Sequence, residues 1–267
     1  MRKYKIILCD YDGTLAGSDN KISSENLIAI NSFIKRGGVF VVCSGRATDG
    51  ISAPLLRQGF KGYVASFNGA VLTDLESNKT LFSYGILPKI SKKLFEYTYK
   101  NGLYAQFYPE TQFLYPYYTK YTEHYERVTG VKGIFVSDII SYIEKTQSLT
   151  YKLLVFDDKE KLDKHFLPIK ELLNECEVVR STDKMIDINL KGIDKGEACE
   201  KVANLFGLTA ESVLAIGDAG NDYSMIKKAG FGVAVDNALP EIKKIAKAVV
   251  PSNDQNAIKF TIEKYCI

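Results

Sequence analysis

The feature that most limits the possible folds is a pair of short segments that are apolar at nearly every position. Residues 4–9 and Val39–Cys43 form these segments, and Leu27, Ile30 and Phe33 lie between them at helical spacing. Strands that are apolar on both faces are typical of a parallel sheet covered by helices on both sides. The first 75 residues therefore predict strand, helix, strand, helix and strand, which is the start of an α/β core.

The end of this first alternating segment predicts a hairpin. Asn68 and Gly69 stand between the apolar runs 63–67 and 70–73. Asn-Gly is the dipeptide that most readily adopts the positive φ angles of a tight two-residue hairpin turn. Nearer the N-terminus, Ser23 or Ser24 is the predicted N-cap of the first helix.

The same alternation of helices and strands returns in the last third of the chain. The pattern predicts helices at residues 195–206 and 223–229, around residues 242–245 and from near residue 255, with strands at 213–216, 232–235 and 249–250. The middle of the chain differs, because its predicted strands come in adjacent pairs, which is typical of an antiparallel α+β unit. We therefore expect a core of residues 1–83 and 190–267, interrupted by an inserted α+β domain at 84–189.

Composition and charge exclude several classes of function. The chain has 35 basic and 32 acidic residues and a formal net charge of +3, which does not favour a nucleic-acid or anionic-membrane partner. No segment reaches the ~20 apolar residues that span a bilayer, and the N-terminus does not resemble a signal peptide.

The five cysteines are an odd number, and Cys9 and Cys43 lie in predicted core strands. We expect reduced thiols in a cytoplasmic protein, with the oligomeric state left open.

Polar side chains follow three of the predicted core strands. The carboxyl ends of parallel strands meet at one edge of the sheet, where α/β proteins bind their ligands. Four carboxylates in one crevice would repel each other unless a cation lies between them, and oxygen-only ligands favour Mg²⁺. The residues that follow these strands are Asp10, Asp12, Gly13, Thr14, Ser44, Gly45, Arg46, Asp218, Asn221 and Asp222.

A phosphate group is the expected co-ligand at this edge. Lys195 stands in the first turn of a predicted helix, where its charge is unfavourable unless an anion binds beside it. Ser44 and Gly45 offer a hydroxyl and an exposed backbone N–H. Each feature alone has an ordinary explanation as a turn, a loop, a helix cap or a solvated side chain. Their joint position at one edge is what favours a phosphate site.

The motifs DYDGTL, SGR, DKG and GDAGND, in this order and spacing, resemble the four motifs of the haloacid dehalogenase superfamily of phosphotransferases. The long insertion resembles the type IIB cap of Cof-type sugar phosphatases. The resemblance implies a Rossmann-like parallel-sheet core with an inserted α+β type IIB cap domain. Two positions depart from the family pattern. Tyr11 replaces Leu or Phe, and Asp236 replaces a glycine, which makes the local loop shape uncertain.

The resemblance also implies a mechanism and a set of roles. Asp10 would be the nucleophile that forms an aspartyl phosphate, and Asp12 the general acid and then the general base. Asp10, the backbone carbonyl of Asp12 and Asp218 would hold Mg²⁺, with support from Asp222. The predicted phosphate-binding residues are Tyr11, Ser44, Gly45, Lys195 and Asn221. The expected substrate is a small phosphomonoester such as a sugar phosphate.

Two alternatives to a phosphatase stay open at this point. A phosphomutase or phosphotransferase would use the same core but return the phosphoryl group to a substrate, and a receiver-like switch would keep Asp10 phosphorylated. The motifs bind only a phosphate, so substrate selection is expected to come from the insertion. The insertion carries a cluster of aromatic residues, most of which we expect to pack in its own core: Tyr97, Tyr99, Tyr104, Phe107, Tyr108, Phe113, Tyr115, Tyr117, Tyr118, Tyr121 and Tyr125.

Overall fold

The computed structural model describes residues 4–109 and 112–266. The chain divides into two compact units, one formed by Met1–Ser83 with Ile193–Ile267 and the other by Tyr84–Gly192. The assignment of the inserted segment as a cap domain stays a prediction. Within the described ranges, no helix combines the length and the apolar character that a membrane span requires.

The strands and helices follow the alternation that the sequence predicts. The strands are β1 Ile6–Asp10, β2 Val39–Cys43, β3 Tyr63–Ser66, β4 Val71–Asp74, β5 Lys79–Ser83, β6 Tyr104–Tyr108, β7 Leu114–Tyr115, β8 Ile134–Phe135, β9 Lys152–Phe156, β10 Cys176–Thr182, β11 Met185–Leu190, β12 Val213–Gly217, β13 Phe231–Val235 and β14 Ala248–Val250. The helices are α1 Ser24–Lys35, α2 Thr48–Arg57, α3 Pro88–Asn101, α4 Lys120–Thr129, α5 Ile139–Thr146, α6 Lys159–Leu172, α7 Lys195–Leu205, α8 Tyr223–Lys228, α9 Pro240–Ile245 and α10 Ala257–Tyr265.

The first unit is built on an eight-stranded sheet in the order β14-β13-β12-β1-β2-β3-β4-β5. The pairs from β14 to β3 are parallel, and β4 and β5 continue the sheet in antiparallel fashion. The predicted α/β core with a parallel sheet is therefore confirmed. The carboxyl ends of β1, β2 and β12 lie side by side, so the residues after these strands are neighbours.

Both faces of the central strands are buried, which explains their continuous apolar sequence. In β1, Ile7 lies in the apolar cluster that includes Phe33 of α1. Its neighbour Leu8 lies in the cluster on the opposite face, which includes Val202 of α7. Successive side chains of a strand point to opposite faces, so both clusters depend on β1. Burial of a side chain of this size contributes about 1.5–3 kcal/mol, which makes β1 a rigid base for the residues that follow it.

Several predicted boundaries differ from the structure by a few residues. β1 continues to Asp10, because Asp10 pairs with Cys43 in the parallel ladder. Ser23 is the N-cap of α1, since its Oγ accepts a hydrogen bond from the N–H of Asn26 at 3.1 Å. The sequence analysis missed β5, β8, α4 and α5, and it gave no bounds for α2. The last helix begins at Ala257, after a short 3₁₀ turn.

The predicted hairpin is present, but its turn is not a two-residue turn. β3 and β4 pair from Ser66 to Val71, and Phe67, Asn68 and Gly69 between the paired ends all have positive φ angles, 51°, 56° and 94°. The cause is tertiary, because two N–H groups of the turn donate to carbonyl oxygens of the loop after β2. The turn is thereby fixed to the loop that contains the SGR motif.

The second unit is an α+β structure, as predicted. Its six-stranded sheet has the order β10-β11-β9-β6-β7-β8, and its pairs are antiparallel except for β7 with β8. One face of this sheet packs against α3, α5 and α6. Phe107 and Leu153 from the strands and Leu94 and Ile143 from the helices form part of this core.

Candidate active site

Three carboxylates meet at the carboxyl edge of the core sheet. Asp10 ends β1, Asp218 follows β12, and Asp222 lies just before α8. One oxygen from each of them lies within 4.8 Å of the others, and Asp10 and Asp222 are buried. Neighbouring strand ends explain why residues more than 200 positions apart in sequence become neighbours here.

Lys195 lies between two of these carboxylates. Its Nζ donates to Oδ1 of Asp10 at 2.5 Å and to Oδ1 of Asp222 at 2.6 Å, and its side chain is fully buried. Burial opposes a charge on Lys195, but the two carboxylates outweigh burial and raise its pKa above the ordinary value. Lys195 is therefore protonated at neutral pH and ties α7 to β1.

The N-terminus of α7 has its own cap, which the sequence analysis did not identify. The side chain of Asp194 accepts a hydrogen bond from the N–H of Glu197 at 2.8 Å. The sequence prediction was that Lys195 meets a bound anion at the helix start. In the structure, the anions that Lys195 contacts are two carboxylates of the protein, because its side chain turns toward the sheet.

The loops after β1 and β12 are fitted closely together. The carboxylate of Asp222 accepts hydrogen bonds from the N–H groups of Asp218 and Ala219, each at 2.9 Å. Thr14 donates its hydroxyl to Oδ1 of Asp218 at 2.7 Å. Gly13 has a φ of 78°, and a Cβ there would lie 2.7 Å from Oδ2 of Asp218, so both its conformation and its surroundings require glycine.

The charge balance of this group is negative. Three carboxylates face one ammonium group, which leaves two negative charges uncompensated when all three are ionised. Burial accordingly raises the pKa of Asp10 well above its usual value, with Lys195 acting in the opposite direction. Burial also raises the pKa of Asp218, which the hydrogen bond from Thr14 partly offsets. A hard divalent cation with oxygen ligands fits both the donor atoms and the missing charge.

Asp12 is not a member of the carboxylate group. Its two oxygens accept hydrogen bonds from Arg46, from Nε at 2.9 Å and from Nη2 at 2.5 Å. The sequence predicted that four carboxylates converge, and in the structure three do. The reason is that the backbone after Asp10 turns, so that the Asp12 side chain faces the loop after β2. The proposed contact of its backbone carbonyl with a metal stays a prediction.

The remaining predicted residues surround this group on three loops. Ser44 is buried directly after β2, and its Oγ accepts from the N–H of Arg46 at 3.2 Å. Tyr11 is also buried. Gly45 lies beside Asn68, since a Cβ on this glycine would lie 3.1 Å from Oδ1 of Asn68.

Asn221 and Lys195 line one cavity of about 330 Å³, which lies within the first unit. Asn68 lines it too, and its buried Oδ1 has no hydrogen-bond partner among residues 4–109 and 112–266. The sequence analysis treated Asn68 only as a turn residue. Its position among polar loops at the sheet edge could not be deduced from the Asn-Gly signal, which predicts a turn but not what the turn contacts.

Two further asparagines brace the loop that carries Asp12, and the sequence analysis missed both. Asn237 donates from Nδ2 to the carbonyl of Gly13 at 2.7 Å, and its Oδ1 accepts from the N–H of Asn253 at 3.0 Å. Asn253 in turn donates from Nδ2 to the carbonyl of Ala16 at 2.9 Å. Both asparagines follow core strands, β13 and β14, so their place after a strand was a usable signal.

Asp236, which replaces a glycine of the family pattern, does not disturb this loop. Asp236 is a described residue, and its φ angle is not positive. Its backbone conformation is therefore one that any residue can adopt. Its carboxylate pairs with Lys243 at 3.0 Å on the surface. The loop shape that the sequence left uncertain is thus compatible with aspartate.

Comparison with known proteins agrees with the motifs. The family model described as haloacid dehalogenase-like hydrolase matches residues 7–262. The chain belongs to this family. It is therefore an enzyme of the haloacid dehalogenase-like hydrolases, as the motif order predicted.

Similar proteins cover nearly the whole length of the chain. A 5-amino-6-(5-phospho-D-ribitylamino)uracil phosphatase of Bacillus subtilis is 28% identical, over 97% of this chain and 97% of the relative. The crystal structure of a haloacid dehalogenase-like hydrolase from Bacteroides thetaiotaomicron is 29% identical, with a TM-score of 0.84 over 98% of this chain and 99% of that one. A solved sugar phosphatase of HAD subclass IIB, 21% identical with a TM-score of 0.74 over 97% and 98% of the two chains, shares the fold.

Proposed function

We propose that this hydrolase is a Mg²⁺-dependent phosphatase of small phosphomonoesters that acts through a phosphorylated Asp10. The observation that carries the proposal is the buried Asp10 carboxylate at the end of β1, held by Lys195 beside Asp218 and Asp222. A carboxylate that is fixed and partly desolvated is suited to nucleophilic attack. The similar proteins support the same reaction, since one is named a phosphatase of a phosphorylated metabolite.

In the first step, an oxygen of Asp10 forms a bond to phosphorus while the ester P–O bond breaks. The leaving alcohol takes a proton from Asp12. In the second step, Asp12 accepts a proton from water as the water oxygen bonds to phosphorus, and the bond between phosphorus and Asp10 breaks. Inorganic phosphate leaves and Asp10 is restored. Ser44, Gly45, Lys195, Asn221 and the Tyr11 backbone would bind the phosphoryl oxygens.

The carboxylate group fits Mg²⁺, which would be held by Asp10, Asp218 and the Asp12 carbonyl, with Asp222 nearby. When bound, the ion neutralises charge on the transferring phosphoryl group. Lys195 holds one oxygen of Asp10 and thereby limits its rotation. Asp222 orients the loop of Asp218 through the two N–H groups that it binds.

We expect chelation to stop turnover and added Mg²⁺ to restore it. Mg²⁺ should also raise the melting temperature of the wild-type protein, because a ligand that binds only the folded state stabilises it. Asp218→Asn should lose most of this shift. Asp236→Asn, which removes an exposed acid on the neighbouring loop, is the matched control and should keep it. Full activity after exhaustive removal of metal would contradict the proposal.

A phosphate-release screen tests the reaction class directly. The substrates are sugar phosphates, nucleotides, pyridoxal phosphate and FMN, each with and without Mg²⁺. Release of inorganic phosphate from at least one of them supports a phosphatase. Transfer of the phosphoryl group to a second sugar without phosphate release would favour a mutase instead.

We propose that the second unit selects the substrate. The sheet face opposite to α3 carries Tyr104 and Tyr108, and Lys152 pairs there with Asp187 at 2.8 Å. Tyr104 stacks on Tyr121 of α4 with an interplanar angle of 24°. Phe107 belongs to the core on the other face, so the aromatic residues divide between the two faces. Tyr104 and Tyr108 are buried on that face, and the Tyr104 hydroxyl is hydrogen-bonded to Thr122, so the partly buried pair of Lys152 and Asp187 is the group there that we propose contacts a polar metabolite.

Exchange of residues 84–192 should transfer substrate preference. A chimera with the corresponding segment of the Bacillus subtilis phosphatase named above should prefer that enzyme's substrate and keep Mg²⁺-dependent turnover. Lys152→Met tests the same proposal without a chimera, and it should change KM for polar substrates by about tenfold while kcat for p-nitrophenyl phosphate stays close to wild type. A chimera that keeps the substrate preference of the original core, together with an unchanged KM in Lys152→Met, would contradict the proposal.

We also propose a cytoplasmic location and a small-molecule substrate, without a nucleic-acid or membrane partner. All five cysteines are buried, and within the described residues no disulfide joins Cys9, Cys43, Cys176 or Cys199. Buried cysteines without disulfides are typical of proteins in a reducing compartment. The weak net charge of +3 agrees with a small-molecule substrate.

A further inference from the structure

Arg46 contacts Asp12 with the geometry of a bidentate ion pair. Nε donates to Oδ2 at 2.9 Å and Nη2 donates to Oδ1 at 2.5 Å. This fork fixes the plane of the carboxylate as well as its distance. Among residues 4–109 and 112–266, the hydrogen bonds that the Asp12 carboxylate accepts come from Arg46.

The position of Arg46 is itself fixed by its surroundings. Its N–H donates to Oγ of Ser44 at 3.2 Å, and its carbonyl accepts from the N–H of Phe67 at 2.9 Å. Its guanidinium carbon lies 5.2 Å from the ring centre of Tyr11, which is buried. Phe67 has a φ of 51°, an uncommon conformation for an aromatic residue, and it is held there by this contact with Arg46 and the adjacent turn.

Stability does not account for this arrangement. The side chains of Arg46 and Asp12 are 37% and 50% exposed. Ion pairs with such exposure contribute about 0–1 kcal/mol to the free energy of unfolding. The proposed acid/base role of Asp12 explains this rigidly anchored, bidentate contact better than stability does.

We propose that Arg46 is the positioning residue of Asp12 and that it orients this carboxylate for the water step. The inference rests on the proposed acid/base role of Asp12. An ionised carboxylate has about four lone-pair positions, and the fork occupies two of them. The others are left to accept a proton from the water whose oxygen bonds to phosphorus as the bond to Asp10 breaks. The same free positions carry the proton that Asp12 donates to the leaving alcohol in the first step, so the fork can stay in place through both steps.

The test separates the two steps with p-nitrophenyl phosphate, whose leaving group needs no proton. In rapid-mixing experiments, Arg46→Met should release a first equivalent of nitrophenolate at a rate within about threefold of wild type. Its steady-state rate should then fall by about 10- to 100-fold, because acid–base catalysis of the second step is weakened. Phosphorylated enzyme should accumulate. Arg46→Lys, which keeps the charge without the fork, should show an intermediate loss.

Two controls keep the outcomes distinct. Arg36→Met removes an exposed arginine at the end of α1 and should leave both rates unchanged. Asp12→Asn should show the burst with little steady turnover, and Arg46→Met/Asp12→Asn should match Asp12→Asn alone, since Arg46 acts through Asp12.

Equal loss of the burst rate and the steady-state rate in Arg46→Met would overturn the inference, as would no loss in either. An added loss in the double variant would overturn it too. If Asp12→Asn itself turns over normally, the proposed function fails at its acid/base residue, and the inference fails with it. The melting temperature of Arg46→Met should stay close to wild type, which excludes a folding defect.

Discussion

Asp10→Asn is expected to abolish phosphate release, with a loss of about a thousandfold or more, because Asp10 is the residue that we propose forms the bond to phosphorus. The same substitution should not lower stability. Three carboxylates repel one another in the group, and burial raises the pKa of Asp10, so a neutral side chain of the same shape removes a repulsive charge. Lys195 keeps Asp222 as a partner.

Phosphate release and thermal unfolding of Asp10→Asn, measured beside Asp236→Asn, check this expectation. The control removes an exposed acid that directly follows core strand β13. Turnover of Asp10→Asn within about tenfold of wild type would exclude the covalent mechanism. A large fall in melting temperature with activity retained would make Asp10 a structural residue.

Lys195→Met should remove both activity and stability. The side chain is fully buried and donates hydrogen bonds to both Asp10 and Asp222, and methionine fills the space without replacing the charge. Breaking a buried ion pair by removing one partner typically lowers the free energy of unfolding by about 3–5 kcal/mol. The sequence places Lys195 in the first turn of a helix, but its full burial is visible only in the structure.

Denaturant unfolding of Lys195→Met and Lys195→Met/Asp222→Asn separates the two effects. The double variant lacks one of the unpaired carboxylates, so it should recover part of the lost stability while phosphate release stays low. Added Mg²⁺ should also recover stability in the single variant, since a cation then compensates the same charges. An unchanged unfolding midpoint in the single variant would contradict the assignment of Lys195 as the central cation of the group.

The fold and the backbone positions of the site could be predicted because they follow from strand order. Continuous apolar strands predict a parallel sheet, and a parallel sheet brings the ends of β1 and β12 together. Asp10 and Asp218 could therefore be placed at one edge without coordinates. The same argument supplied Ser44 and Gly45, which follow β2.

Side-chain directions could not be predicted in the same way. Asp12 lies two residues from Asp10 in a turn, and only the structure shows that it faces Arg46. Lys195 was placed on the correct helix, but the inward course of its side chain depends on tertiary packing. Asp194 had the sequence of an ordinary N-cap, Asp followed three residues later by Glu197, and this signal was available.

The missed elements lie where local signals are weak. α5 has only eight residues, and β8 has two. α4 is rich in tyrosine and threonine, whose helix propensity is modest, and its stability in the structure comes from a capping box at Thr119 and from aromatic contacts. The aromatic contacts join residues distant in sequence, such as Tyr121 and Phe156, so a pattern within one segment does not reveal them.

The central claim is that Asp10 carries the phosphoryl group during turnover, and the most direct measurement is its capture. Wild type and Asp12→Asn are mixed with p-nitrophenyl phosphate and Mg²⁺, quenched in acid after one turnover, and digested for mass spectrometry. We predict one phosphoryl group on Asp10, in the peptide that contains DYDGTL, with more of it in Asp12→Asn because water attack is slowed. First-turnover release of nitrophenolate without any phosphoryl group on Asp10, or with the group on another residue, would contradict the account.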